Sequence, residues 1–158
     1  MVELEKLLND YDFICVGAIT TFNTTPRRAK NPAPYSAPKF NLFPEFKDDR
    51  RAWVYLWVLK SRSGLEQVCY VGMAGGTLKK RFQEHTNGAR PYPSGSVTGR
   101  NNVKKMDVFI GESSGNSISI YARKSKWGKV LGEKICLNSV EELAVIDKCK
   151  RYFELWNK

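Results

Sequence analysis

The chain has 158 residues, of which 26 are Lys or Arg and 16 are Asp or Glu, so its formal net charge is +10. This length suits one domain with a sizeable core and leaves little room for a second full domain. The charge and a pI of about 9.5 are typical of proteins that bind a polyanion, with nucleic acid as the first candidate. A basic protein without such a partner has the same composition, so other observations must decide.

The composition also argues against secretion, membrane insertion and zinc binding. The sequence begins Met-Val-Glu-Leu-Glu, without a signal peptide's basic start, and no apolar run approaches the roughly 20 residues of a membrane span. We therefore expect a cytoplasmic protein with no membrane partner. The four cysteines lack C-x-x-C spacing and are expected to be reduced, and with a single histidine they do not suit a structural zinc site.

The first fifty residues are predicted to form a helix at 2–9, a strand at 13–20 and a basic arm at 24–44. Five of the seven prolines fall in the arm. The basic residues interspersed there are Arg27, Arg28, Lys30 and Lys39. Because proline fixes φ and removes a donor, this segment is predicted to lie extended on the surface. It either follows a DNA backbone or ties the first helix to the core, and the sequence does not distinguish the two.

Residues 53–60 and 67–72 are predicted to form a β-hairpin. Both segments are rich in aromatic and β-branched residues, and Ser-Arg-Ser-Gly at 61–64 is a turn signal. Gly75 and Gly76 break the second strand, and Thr77 can cap a helix that continues to about residue 86.

This short helix places two functional side chains side by side. At about 100° per residue, Leu78 and Phe82 form its buried stripe, while Arg81 and His85 lie along one flank. The planar fork of a guanidinium suits a phosphate, and lysine would not reproduce that geometry. The alternative is a structural pair between Arg81 and a glutamate, with His85 as a boundary residue.

Residues 87–105 are predicted to form a loop, followed by short strands at 106–110 and 117–121. The loop is rich in Gly, Pro, Ser and Asn, and long loops in compact domains are commonly functional or disordered. Basic and amide side chains contact phosphates and base edges, so the loop is a candidate for reading DNA. The same composition is equally typical of an insertion without function. The candidate substrate-binding residues are Gly72, Lys79, Arg90, Arg100, Asn101 and Lys104.

A final helix is predicted from residue 138 or 139 to about 157. Its apolar face is expected to consist of Ile146, Cys149 and Phe153, with Glu142 in the middle and Glu141 turned about 100° toward the polar face. A carboxylate aligned with a buried stripe must be paired, protonated or bound to a metal. Glu142 is therefore a candidate ligand, although a capping box with the residue at 139 has the same spacing.

In this order, the residues resemble the GIY-YIG nuclease family. The family has a tyrosine at the end of its first motif, then Tyr-aliphatic-Gly on the next strand, an arginine on the following helix, often a histidine four residues later, and a metal-binding glutamate on a later helix. The matching residues are Tyr55, Tyr70, Gly72, Arg81, His85 and Glu142. Trp53 stands where the family has its first glycine.

The resemblance covers residues 52–158, so we divide the chain into an N-terminal helix and arm at 1–50 and a GIY-YIG-like catalytic domain at 51–158. It implies an α+β fold with a small, mainly antiparallel sheet flanked by helices. The implied reaction is hydrolysis of a phosphodiester in double-stranded DNA, with Mg²⁺ or another divalent cation such as Mn²⁺ held by Glu142.

The resemblance also assigns roles. Tyr55 takes a proton from the attacking water and Tyr70 positions the water or the phosphate. Arg81 clamps the phosphate, His85 assists, and Gly72 leaves room for the phosphate. A phenol with a pKa near 10 is a poor base, so we expect Arg81, His85 and the cation to favour its ionised form. If the family resemblance is set aside, a tyrosine on a strand is interpreted as a packing residue.

The biological role favoured by the resemblance is a stand-alone type II restriction endonuclease. Target selection would then come from the arm, the loop or a second copy of the chain in a homodimer. The alternatives are a non-catalytic nucleic-acid-binding module and a structure-selective nuclease of repair or mobile elements. Some family members carry a late asparagine, and Asn157 is the nearby match.

Overall fold

The computed structural model describes residues 2–26 and 33–157, and it has an α+β architecture. The helices are α1 (Val2–Asp10), α2 (Pro44–Lys47), α3 (Leu78–Gly88), α4 (Val97–Glu112) and α5 (Asn138–Cys149). The strands are β1 (Ile14–Thr24), β2 (Tyr35–Leu42), β3 (Trp53–Lys60), β4 (Glu66–Ala74), β5 (Ser117–Lys124), β6 (Trp127–Val130) and β7 (Glu133–Cys136). Within the described residues no helix is long and apolar enough to cross a membrane.

Five strands form one central sheet in the order β2-β1-β5-β3-β4, and every neighbouring pair is antiparallel. The expected class, a mainly antiparallel sheet flanked by helices, is confirmed. β6 and β7 form a separate two-stranded hairpin that the sequence analysis did not predict. The sheet includes strands from both sides of residue 50, so the predicted boundary at that residue runs through one sheet.

The side chains of β3 explain why helices cover both faces of this sheet. Successive strand residues point to opposite faces, and β3 is buried on both. On one face Trp53, Tyr55 and Trp57 pack with the buried side of α3 and with α4. On the other face the alternating valines and Leu56 pack with α1 and α5. The candidate site lies on the first face, toward the edge strand β4.

The prediction of an extended surface arm over residues 24–44 is wrong for its second half. Residues 35–42 form β2, which pairs with β1 along its whole length. Proline cannot donate to a strand ladder and is tolerated on edge strands, and Pro38 lies on the edge strand opposite Thr21. Arg27, Arg28 and Lys30 lie outside the described residues.

The predicted loop at 87–105 and the predicted strand at 106–110 are also wrong, because α4 occupies most of this region. Ser96 caps the helix by accepting a hydrogen bond from the backbone N–H of Gly99 at 2.9 Å. Val103 and Met106 are buried at helical spacing, and the apolar residues at 106–110 that favoured a strand belong to the same helix. Gly99 allows α4 to approach α3, since a Cβ there would lie 2.8 Å from Cα of Gly88.

The predicted hairpin and the predicted helix after it are confirmed. β3 and β4 pair around the turn, and Thr77 caps α3 by accepting a hydrogen bond from the backbone N–H of Lys80 at 3.1 Å. The last helix begins where expected but ends at Cys149, so the prediction that it continues to about residue 157 is wrong. All four cysteines are free, and Cys69 and Cys149 are buried.

Candidate active site

The register of the β3–β4 hairpin places Tyr55 directly opposite Gly72. A Cβ at position 72 would lie 2.7 Å from Cε2 of Tyr55 and closer still to its Cζ and hydroxyl oxygen. Only glycine therefore leaves space for the Tyr55 phenol. The sequence suggested that Gly72 makes room for a phosphate, whereas the neighbour that it accommodates in the structure is Tyr55.

The second tyrosine, Tyr70, lies beside the first on the same face of the sheet. It is opposite Trp57 in the register, and the two rings stack with centroids 4.2 Å apart. The rings of Tyr55 and Tyr70 also stack, at 6.3 Å. The hairpin thus brings the two predicted tyrosines together, and Trp57 is a neighbour that the sequence analysis did not single out.

His85 is held among aromatic rings at the face of the sheet. The ring centroids of five residues lie within 6.3 Å of its own, namely Phe40, Tyr55, Trp57, Tyr70 and Phe82. Burial lowers the pKa of His85 to about 3, and the positive charge of Arg81 adds to this effect. The imidazole is therefore neutral at neutral pH.

The hydroxyl of Tyr55 and Nε2 of His85 are 2.6 Å apart. In the tautomer of the neutral imidazole that carries its proton on Nδ1, the Tyr55 O–H donates and Nε2 accepts. Burial raises the pKa of Tyr55 well above its usual value, with Tyr70 adding to the rise and Arg81 opposing it. The expectation that His85 would favour the ionised phenol as a cation is thus wrong.

Arg81 lies one helical turn before His85 and is divided between two environments. Its Nη1 donates to Oε2 of Glu84 at 2.7 Å, so the structural Arg–Glu pair considered from the sequence does form. Its Nε is buried without a hydrogen-bond partner among the described residues. Burial raises the pKa of Tyr70, and the charge of Arg81 opposes that rise as it does for Tyr55. The guanidinium therefore acts on both phenols through its charge and through hydrogen bonds, and both effects lower their pKa values.

Glu142 is the carboxylate of this group. Burial raises its pKa, the charge of Arg81 opposes that rise, and its own negative charge raises the pKa of both Tyr55 and Tyr70. Within the described part of the chain it makes no hydrogen bond or ion pair. The capping box is excluded, because α5 begins after Leu137 without a side-chain cap and the backbone N–H of Ser139 donates to the Asn138 side chain.

The adjacent Glu141 is largely buried and is paired, contrary to the prediction that it faces the polar side. Its carboxylate lies 3.0 Å from Nη2 of Arg123, and their side chains are 14% and 11% exposed. It also accepts a hydrogen bond from the backbone N–H of Lys126 at 2.8 Å. The buried residues of α5 are Val145 and Cys149, which share one face with Glu141 at intervals of four residues. Glu142 lies on the flank of that face.

Asn157 supports the hairpin from the C-terminal end of the chain. Its Oδ1 accepts from the backbone N–H of Val71 at 2.9 Å, and its Nδ2 donates to the carbonyl of Val71 at 2.7 Å. The backbone N–H of Trp156 donates to the carbonyl of Cys69 at 2.6 Å. These bonds satisfy backbone groups of Cys69 and Val71 on the edge strand β4, which carries Tyr70 and Gly72. The late asparagine thus lies beside the site, although not on a helix.

The predicted substrate-binding residues other than Gly72 surround α3 and the start of α4. Lys79 is exposed on α3, on the flank opposite Arg81. Arg90 is exposed just after α3, and its carbonyl accepts from Nη1 of Arg100 at 3.2 Å. Asn101 and Lys104 are exposed on α4. No described hydrogen bond or ion pair joins these side chains to the tyrosines, Arg81 or Glu142.

The described residues contain no group of three or more His, Cys, Asp or Glu side chains that could hold a metal ion. Zinc, which takes three or four protein ligands, therefore does not fit. Mg²⁺ keeps several waters and is commonly bound by one or two carboxylates together with substrate phosphates. The unpaired carboxylate of Glu142, close enough to act on both phenols, fits such a cation.

Comparison with known proteins shows a shared fold. The structure of a mutant of bacteriophage T4 EndoII aligns with a TM-score of 0.55 over 99% of this chain and 99% of that chain, at 14% identity. Restriction endonuclease HPY188I in complex with product DNA aligns with a TM-score of 0.48 over 94% of this chain and 80% of that one, also at 14% identity. Neither a protein-family profile nor a curated protein sequence matches the chain.

Proposed function

We propose that the protein is a metal-dependent endonuclease that hydrolyses phosphodiester bonds in double-stranded DNA through a site of the GIY-YIG type. The observation that carries this proposal is the 2.6 Å contact between the Tyr55 hydroxyl and Nε2 of the neutral His85. It pairs a hydroxyl with a proton acceptor, which is the arrangement required for general-base catalysis.

Proton transfer in this site follows from the hydrogen bond. The Tyr55 oxygen takes a proton from the attacking water while its own proton moves to Nε2 of His85. The pair thereby avoids a free phenolate, which burial disfavours. A phosphodiester bound beside Arg81 would bring a negative charge close to His85. This charge would offset the lowering of the His85 pKa by Arg81 and make the imidazole a stronger base.

The charges of Arg81 and Glu142 suit two separate tasks in this reaction, which are binding the phosphate and binding a metal ion. Arg81 binds a non-bridging oxygen of the scissile phosphate through its guanidinium, beside the pair that it already makes with Glu84. Tyr70 positions the phosphate or the water. A Mg²⁺ or Mn²⁺ ion held by Glu142 would supply neutralisation of the charge that develops on the phosphate and the leaving oxygen.

Two further observations support a DNA substrate. The formal net charge of +10 favours a polyanion, and the fold is shared with bacteriophage T4 EndoII. As biological role we propose a type II restriction endonuclease, in which surfaces near α3 select the target.

The direct test is to incubate the purified protein with plasmid, linear and branched DNA, in Mg²⁺ or in EDTA. The proposal predicts discrete fragments from linear DNA in Mg²⁺ and none in EDTA. Cutting only at branches would replace the restriction role with a structure-selective nuclease. Binding without cutting in Mg²⁺ and Mn²⁺ would contradict catalysis and leave a nucleic-acid-binding module.

A further inference from the structure

Two adjoining clefts lie along the flank of α3 that faces away from Arg81 and His85. The first, here called the amide cleft, has a volume of about 840 Å³ and lies between the ends of β1 and β2, the C-terminal half of α3 and the loop after it. Its lining includes Gln83, Asn87 and Arg90 together with the exposed rings of Phe22 and Tyr92.

The second, here called the lysine cleft, has a volume of about 580 Å³ and is lined by Lys39, Lys47 and Lys79 around an apolar floor. The two clefts share Phe22, Gln83 and Thr86, so they form one continuous surface. Among the described residues that line them there are four cations and no carboxylate. A surface of this charge attracts phosphate backbones.

The amide cleft contains a hydrogen-bonding pair with unused capacity. Nε2 of Gln83 donates to Oδ1 of Asn87 at 3.1 Å, one helical turn away and on the exposed face of α3. Among the described residues nothing bonds the carbonyl oxygen of the Gln83 side chain or the NH₂ group of Asn87. The pair therefore offers an acceptor and a donor side by side, and flipping both amides leaves the same combination.

This combination matches one base edge in particular. In the major groove adenine presents N7 as an acceptor and the N6 amino group as a donor, and amide side chains bind these two atoms as a bidentate pair. A helix about 10–12 Å across fits the roughly 12 Å major groove. With α3 in that groove, the flank that carries Arg81 and His85 would face the scissile strand. The flank that carries Gln83 and Asn87 would face the bases.

We propose that the amide cleft reads adenine in the major groove through Gln83 and Asn87, while the lysine cleft holds the adjoining phosphates. This rests on the proposed function for the identity of the polyanion as duplex DNA. It adds an element that selects sequence.

The test separates base reading from cutting by measuring binding in EDTA. Random duplex DNA is selected with the wild-type protein and with the variants Gln83→Ala, Asn87→Ala and Gln67→Ala, and the bound DNA is sequenced. Gln67 is an exposed amide on β4 and serves as the matched control. Thermal unfolding checks that each variant folds.

The wild-type protein and Gln67→Ala are expected to enrich adenine at a fixed position. Gln83→Ala and Asn87→Ala should reduce that preference about tenfold, while their affinity for random duplex and its salt dependence stay unchanged. The inference is overturned if all four proteins select the same sequences, or if the wild-type protein selects none.

Cutting of the same DNA in Mg²⁺ tests the proposed function separately. Adenine selection without cutting would support the reading surface and contradict the nuclease. Cutting without base preference would support the nuclease and contradict the reading surface. A protein that binds no duplex would overturn both.

Discussion

The Tyr55 hydroxyl on β3 and Nε2 of His85 on α3 form a hydrogen bond of 2.6 Å. The contact depends on two local features of the fold. The glycine opposite Tyr55 leaves space for the phenol, and the cap at Thr77 starts α3 so that its second turn lies over the hairpin. The aromatic rings around the imidazole keep it neutral and therefore able to accept.

The protonation of His85 is directly measurable because it is the only histidine in the chain. We expect an NMR titration of the imidazole to show no protonation above pH 5, since burial and Arg81 lower its pKa to about 3. A midpoint near 6.5 would mean that the ring is solvated and that the pair with Tyr55 does not form as described.

The same pKa predicts how stability depends on pH. In the unfolded chain His85 binds a proton below about pH 6.5, whereas in the folded state it does so only near pH 3. The contribution of neutral His85 is therefore complete above pH 6.5 and is lost as the pH falls toward 3. As measured by urea unfolding, the free energy of unfolding should fall less between pH 7 and pH 4.5 in His85→Gln than in the wild-type protein. Equal losses would contradict the assignment.

Gly72→Ala should disrupt the site through the clash of its Cβ with the Tyr55 ring. We expect a loss of about 1–3 kcal/mol in the free energy of unfolding and a large loss of cleavage. Gly75→Ala is the control, because a Cβ there meets nothing within 4 Å, and it should be near neutral in both assays. Equal behaviour of the two variants would show that Tyr55 does not pack against position 72.

The two adjacent glutamates should separate activity from stability. Glu142→Gln removes an unpaired carboxylate, so it should abolish metal-dependent cleavage and leave the melting temperature unchanged or slightly higher. Glu141→Gln weakens the buried pair with Arg123, so it should lower stability by about 1–3 kcal/mol while the folded fraction still cleaves. The opposite pattern would place the metal at Glu141.

Asn157→Ala should act through the backbone of β4. It leaves the N–H and the carbonyl of Val71 without their partners, so we expect a loss of about 1–2 kcal/mol and slower cleavage. Hydrogen exchange of the Val71 amide should increase in this variant. An unchanged amide would show that the C-terminal segment does not hold this edge.

The hairpin and α3 could be predicted from the sequence because their signals are local. Runs of aromatic and β-branched residues, a turn tetrapeptide and the Gly75-Gly76 break fall within a single stretch of chain, and each indicates a local conformational preference. These elements carry Tyr55, Tyr70, Arg81 and His85, whose grouping into one site is what the family resemblance implies.

The remaining features depend on contacts between distant residues. α4 was missed because its first two turns contain Gly99, Asn101 and Asn102, and the helix is stabilised by packing of Met106 against the sheet. Glu141 was placed wrongly because the buried face of α5 is set by Val145, not by Ile146. The bonds of Asn157 to Val71 join residues 86 positions apart, and no local pattern indicates them.

The most direct test of the central claim is a double-mutant cycle between Tyr55→Phe and His85→Ala, measured as single-turnover cleavage of plasmid DNA in Mg²⁺. Each single variant should lose about 10²–10⁴-fold in rate while it retains its fold, because either change breaks the proton path. The double variant should lose little more than the worse single variant, since both residues act in one step. Losses that multiply, or a Tyr55→Phe variant that cleaves at the wild-type rate, would contradict the account.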